Sequence, residues 1–109
     1  MNETLPPLPN LELLGKLGEG GMSTVWKAID LLNGETVAVK ILNRDLTASA
    51  EDIALFKSEA KTMSEISHVG IVRCYDINCH EGIWYYTMEY VDGYNFNALL
   101  TRKQHLSEA

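Results

Sequence analysis

Basic residues are scarce in this chain. Nine Lys and Arg stand against 15 Asp and Glu among 109 residues, leaving a formal net charge of −6. The basic residues are scattered, which argues against nucleic acid as a partner, because phosphate backbones are held by Lys and Arg clusters. Cysteine is scarce as well. Cys74 and Cys79 are the only two, and a zinc site takes about four Cys or His ligands at set spacings. They read as reduced thiols, and no residue is assigned to a metal. Long apolar runs are missing. None approaches the roughly 20 residues that span a bilayer. The first ten residues hold Glu3 and three prolines, without the basic and apolar stretches of a secretory signal. The expectation is a soluble, cytoplasmic chain with no membrane segment. Proline is confined to Pro6, Pro7 and Pro9, where it removes backbone donors and favours an extended arm. Residues 1–10 read as a flexible lead-in, a simpler account than a docking peptide for a proline-reading domain.

The remainder has the patterning of one α+β domain. Leu11–Gly18 is short and apolar and reads as a first strand. Met22–Asp30, rich in Thr, Val, Trp and Ile, reads as a second, and Glu35–Leu42 as a third. Asn33-Gly34 between them is a strong hairpin signal. Ser49 followed by Asp52 resembles a helix start. From Glu51 to about Ile66, the residues Ile53, Phe56, Ala60, Met63 and Ile66 fall at helical spacing and form one apolar stripe. Ser67 to Gly70 ends that helix. Ile71–Asn78 and Ile83–Tyr90 read as two further strands around a Cys79–Gly82 turn. Val91-Asp92-Gly93 is a break, and a weaker helical pattern runs over Asn95–Lys103. The expected fold is a five-stranded antiparallel sheet with one long helix and a short second one.

The chemistry concentrates between Leu17 and Lys40. Gly18-x-Gly20-x-x-Ser23 nearly matches G-x-G-x-x-G, a weak signal by itself. In a dinucleotide-binding unit the glycines open a helix. Here Thr24-Val25-Trp26 follow, which favour strand. A Walker-type loop is excluded, since no Gly-Lys-Ser/Thr occurs. A β-hairpin whose glycine amides approach anionic oxygens fits better; an ordinary turn relieved of strain is the plainer alternative. Strand alternation places Val37, Val39 and Ile41 on one face and Ala38, Lys40 and Leu42 on the other. A lysine amid apolar neighbours is costly unless paired. With a flat ring over the small Ala38, Lys40 lies about 7 Å further along the same face, toward where phosphates would sit. A lysine snorkelling at a sheet edge accounts for Lys40 alone, not for its place after the glycine hairpin. The helix offers Glu51, Glu59 and Glu65. Glu51 belongs to the first turn, where the helix dipole explains it, and Glu65 reads as solvated. Glu59 borders the apolar stripe, about a turn from both Phe56 and Met63. It is the expected ion-pair partner of Lys40.

These residues together resemble the N-terminal lobe of protein kinases: a glycine-rich loop with a following Val, a V-A-I-K lysine and a glutamate on helix C. The corresponding residues are Gly18-Glu19-Gly20-Gly21-Met22-Ser23-Thr24-Val25, Val37-Ala38-Val39-Lys40 and Glu59. The glycine-loop form looks most like bacterial serine/threonine kinases of the eukaryotic-like (Hanks) type. Phe56 to Ala60 and His68 resemble helix C and its following turn. Met88-Glu89-Tyr90-Val91-Asp92-Gly93 resembles the gatekeeper and hinge. The resemblance runs from residue 11 to about 103.

The resemblance implies roles. ATP would be the ligand. Leu17, Val25 and Ala38 would sandwich adenine, and Met88 would close its pocket. Backbone groups of Glu89 and Val91 would bond the adenine edge, residues 18–25 would cover the phosphates, and Lys40 and Glu59 would be the catalytic pair. Met63 and Cys74 match an apolar spine, and plain core packing serves equally for both. Ser23 in place of the third glycine and Val69-Gly70 in place of Pro-Asn are departures. The implied layout is an N-lobe over 11–93 with 94–109 beginning a C-lobe. No H-R-D, D-F-G or A-P-E motif occurs, so no residue here matches the catalytic aspartate or a magnesium ligand. Mg2+ and protein substrates are expected only with the missing C-lobe, and this chain alone is expected to be inactive. A natural stand-alone module docking on a partner is the alternative. Its physical basis is an underside (Met63, Cys74, Met88, Phe96, Leu99) expected to lie partly exposed without a C-lobe and to favour a homodimer.

Overall fold

The computed structural model describes residues 8–42, 49–65, 72–96 and 100. The elements follow in order: β1 Leu11–Glu19, β2 Ser23–Asp30, β3 Thr36–Leu42, α1 Ala50–Glu65, β4 Cys74–His80 and β5 Ile83–Glu89. Every pairing is antiparallel, and the sheet order is β1-β2-β3-β5-β4. The expected α+β architecture is present. The short helix expected over Asn95–Lys103, the helix end at Ile66–Gly70 and most of the N-terminal arm lie largely outside the described residues.

The sheet separates two cores. Val25, Ala38, Tyr86, Met88 and Cys74 share the inner face with α1 residues Phe56, Ala60 and Met63. Trp26, Ala28, Val37, Val39, Ile41 and Tyr85 share the outer face with Leu8 and Leu13. Leu8, within the stretch read as an arm, is therefore buried. Strand β3 lies centrally between β2 and β5, and every residue from Val37 to Leu42 is buried. That is why its sequence is an apolar run interrupted only by Lys40. Fully burying one such valine stabilises the fold by about 1.5–3 kcal/mol.

Helix α1 starts at a reciprocal cap. The Asp52 N–H donates to Ser49 Oγ and the Ser49 N–H to Asp52 Oδ2, each at 3.1 Å. Phe56, Glu59, Ala60 and Met63 form its buried face. Glu65 is exposed and lies 3.4 Å from Lys61.

Asn33-Gly34 closes the hairpin loop between β2 and β3, as its sequence predicts. The Asp30 carbonyl captures the N–H groups of both Asn33 (3.3 Å) and Gly34 (2.7 Å), and the Asp30 N–H reaches the Glu35 carbonyl at 2.8 Å. The result is a loop with only Gly34 at positive φ (78°). Within the expected Cys79–Gly82 turn, the two-residue loop is Glu81-Gly82, at φ of 52° and 83° and flanked by the His80–Ile83 pair. Two consecutive positive φ values are the type I′ signature. Strand β4 consequently runs on to His80, through the start of the expected Cys79–Gly82 turn. It begins at Cys74 rather than at Ile71, which lies outside the described residues. A register shift between Cys74 and Asp76 interrupts its pairing.

The underside is not exposed. Met63, Cys74, Met88 and Phe96 are all buried, and Leu99 lies outside the described residues. The segment after β5 folds back beneath the sheet. Phe96 stacks on Tyr90 at 5.8 Å and meets Tyr94 edge-on at 4.8 Å. All three pack in the inner core. The exposure that suggested a dimer is therefore absent from the four of those five residues that are described.

Candidate functional site

The β3–β5 register sets Lys40 opposite Tyr86 and Ala38 opposite Met88, while β2–β3 sets Val25 opposite Lys40. Antiparallel partners share a face, so these side chains converge on the inner side. Lys40 Nζ lies 2.7 Å from Glu59 Oε1, with the two side chains 1% and 3% exposed. A buried lysine and a buried carboxylate are each costly in isolation; the short charge-assisted bond offsets that cost. The pairing expected from strand alternation and helix spacing is therefore present in the geometry. The same Glu59 oxygen accepts a second bond, from the Tyr86 hydroxyl at 2.6 Å.

Along the inner face, Val25, Ala38 and Met88 belong to one buried cluster against which Leu17 packs. Ala38 is fully buried beside Lys40. Cys74 lies in the same cluster, and burial pushes its thiol up to about 11. Burial first, and then the Glu59 charge, raise the Tyr86 hydroxyl well above the usual phenol range.

The glycine hairpin connects β1 to β2 tightly, with the Gly20 N–H donating to the Ser23 carbonyl at 2.8 Å. Among the described residues, the glycines at positive φ are Gly34, Gly82 and Gly93, none of them in this hairpin. Strain relief therefore does not explain Gly18, Gly20 or Gly21. A Cβ built on Gly21 would meet nothing within 4 Å, whereas one on Gly20 would lie 3.3 Å from Leu100 Cβ. Ser23 and Thr24 are buried and Met22 half-buried. Glu19 is exposed and holds Lys16 at 3.2 Å. At the far end, the Glu89 N–H donates to the Arg73 carbonyl at 2.8 Å. The Val91 carbonyl accepts from the Tyr94 N–H at 3.1 Å.

Val25, Ala38 and Met88 thus form a buried apolar face, with the Lys40 ammonium further along it and the glycine hairpin at the β1–β2 end of the sheet. Leu100 lies against Gly20 of that hairpin. Among the described residues, no group of three or more His, Cys, Asp or Glu is placed to hold a metal ion. Among the described residues, no helix is long and apolar enough to cross a membrane.

Tyr86 escaped the sequence reading. The available signal was its parity with Met88 in β5, which places it on the Lys40 face; its partner on α1 is 27 residues away.

The family model of the protein kinase domain matches residues 11–109, and the chain belongs to that family. It is 37% identical over 90 residues to the serine/threonine-protein kinase PrkC of Bacillus subtilis, covering 83% of this chain and 14% of that protein. It is 35% identical over 96 residues to PknA of Mycobacterium tuberculosis, covering 84% and 22%. With PknD of Chlamydia trachomatis it shares 39% over 90 residues, covering 82% and 10%. The fold is thus the N-lobe of a Hanks-type kinase of the bacterial serine/threonine class. The chain spans less than a quarter of the length of each of these relatives.

Proposed function

We propose that this chain is the ATP-holding half of a serine/threonine protein kinase. The observation that carries this reading is the buried Lys40–Glu59 pair, 2.7 Å apart, on the face shared with the glycine hairpin. Leu17, Val25, Ala38 and Met88 would hold the adenine. Backbone groups of Glu89 and Val91 would meet its edge. The amides of residues 18–25 and the Lys40 ammonium would hold the phosphates, with Glu59 fixing where that ammonium points. In a complete kinase domain the γ-phosphate would pass to a Ser or Thr hydroxyl of a protein substrate, with Mg2+ neutralising charge on the phosphates.

Residues 11–93 form the N-lobe in this reading, residues 1–10 an arm before it, and residues 94–109 lead into a second lobe. That lobe would supply the catalytic aspartate and the Mg2+ ligands, because no motif for either occurs here. The setting is cytoplasmic. The 109-residue chain by itself gives no turnover. A chimera tests this: residues 11–93 replace the matching segment of a bacterial relative, and phosphorylation of a protein substrate is followed. Activity that disappears with Lys40→Met supports the reading. An inactive chimera that folds and binds no ATP overturns it.

A further inference from the structure

Tyr86 is buried completely in a place where a phenylalanine would satisfy the packing. A buried hydroxyl is costly unless bonded, so its oxygen calls for an explanation. The ring reaches α1 at successive turns. It lies 5.1 Å from the Phe56 ring, and its hydroxyl is 2.6 Å from Glu59 Oε1 and 3.6 Å from Met63 Sδ. A hydroxyl has one proton to donate, and the short distance to a charged oxygen assigns it to Glu59. Lys40 Nζ lies 5.9 Å from the centre of the same ring. One carboxylate oxygen thus takes two donors, one from β3 and one from β5. The carboxylate is fixed in direction even before Lys40 is counted.

We propose that Tyr86 is a positioning residue: its hydroxyl holds Glu59, and with it α1, in the orientation that aims Lys40 at the nucleotide phosphates. This rests on the nucleotide reading above and extends it from a pair to a triad. Tyr86 touches no nucleotide. It acts through Glu59 and then Lys40, so its influence is confined to the phosphate end of the ligand.

The test uses the 109-residue chain with ATP and adenosine as probes. Tyr86→Phe removes one oxygen and keeps the ring. Tyr85→Phe, on the outer face, is the control. Tyr86→Phe is expected to weaken ATP binding about fivefold, roughly the net weight of one hydrogen bond, and to leave adenosine binding unchanged. In a Lys40→Met background the same change is expected to alter ATP binding no further. Amide hydrogen exchange within α1 is expected to accelerate in Tyr86→Phe and not in Tyr85→Phe. Equal weakening of ATP and adenosine, or unchanged exchange in α1, overturns the proposal. If the wild-type chain binds neither probe, the nucleotide reading fails and the aim at phosphates falls with it. The exchange result then still decides whether Tyr86 holds α1.

Discussion

Lys40 and Glu59 are 19 residues apart in the chain and 2.7 Å apart in the fold, and both are almost wholly withdrawn from water. Removing one member of such a pair leaves a charge in a poor environment and typically costs about 3–5 kcal/mol. The two ends are not equivalent. Glu59→Ala removes the acceptor of both Lys40 and Tyr86, whereas Lys40→Met leaves the Tyr86–Glu59 bond in place. Glu59→Ala should therefore lower the urea midpoint more than Lys40→Met. The reverse order would mean that the tyrosine bond contributes little.

Gly21 separates folding from binding. Its φ lies outside the left-handed region, and an added Cβ meets no atom within 4 Å. Gly21→Ala should change stability by less than about 1 kcal/mol, the scale of a glycine's conformational entropy. It should nevertheless weaken ATP binding, because the methyl would project into space that the proposed phosphates approach. Unfolding curves and ATP titrations of one sample separate the two effects. A large stability loss would restore the view of this hairpin as an ordinary turn.

The two thiols should differ sharply. Cys79 is exposed and Cys74 buried, and burial holds the Cys74 thiol near 11 against an ordinary 9.0. At neutral pH a thiol reagent should modify Cys79 quickly and Cys74 only on unfolding. The folded thiol ionises at higher pH than the unfolded one. Its contribution to stability is therefore complete below pH 9.0 and lost as pH rises toward 11. The raised Tyr86 hydroxyl acts in the same direction. Denaturant midpoints measured between pH 8 and 11 should fall, and less steeply in Cys74→Ala than in the wild type.

Phe96 covers the inner core from below, between Tyr90 and Tyr94. Phe96→Ala should destabilise by about 3–5 kcal/mol, as large-to-small core changes do. It should also increase binding of a hydrophobic dye at low denaturant. A variant as stable as the wild type would show that the aromatic cover contributes nothing.

The pair at the centre of the site was legible because two periodicities converge on it. A period of two placed Lys40 with Ala38, and helical spacing placed Glu59 beside Phe56 and Met63. Tyr86 was not legible as a partner. Alternation says which face a strand residue takes, not which helix atom it meets. The Asn33-Gly34 turn was legible as the connection between β2 and β3, though not the capture of two amides by the Asp30 carbonyl within it. The underside was misjudged. Counting apolar residues gives the area to be covered, but not that Tyr90, Tyr94 and Phe96 turn back to cover it.

The most direct measurement is a titration of the 109-residue chain with ATP and with adenosine, in the wild type and in Lys40→Ala. The account predicts weak ATP binding that Lys40→Ala reduces about tenfold or more, the scale of a charge-assisted hydrogen bond, with adenosine binding unaffected. ATP binding equal in both proteins would contradict it.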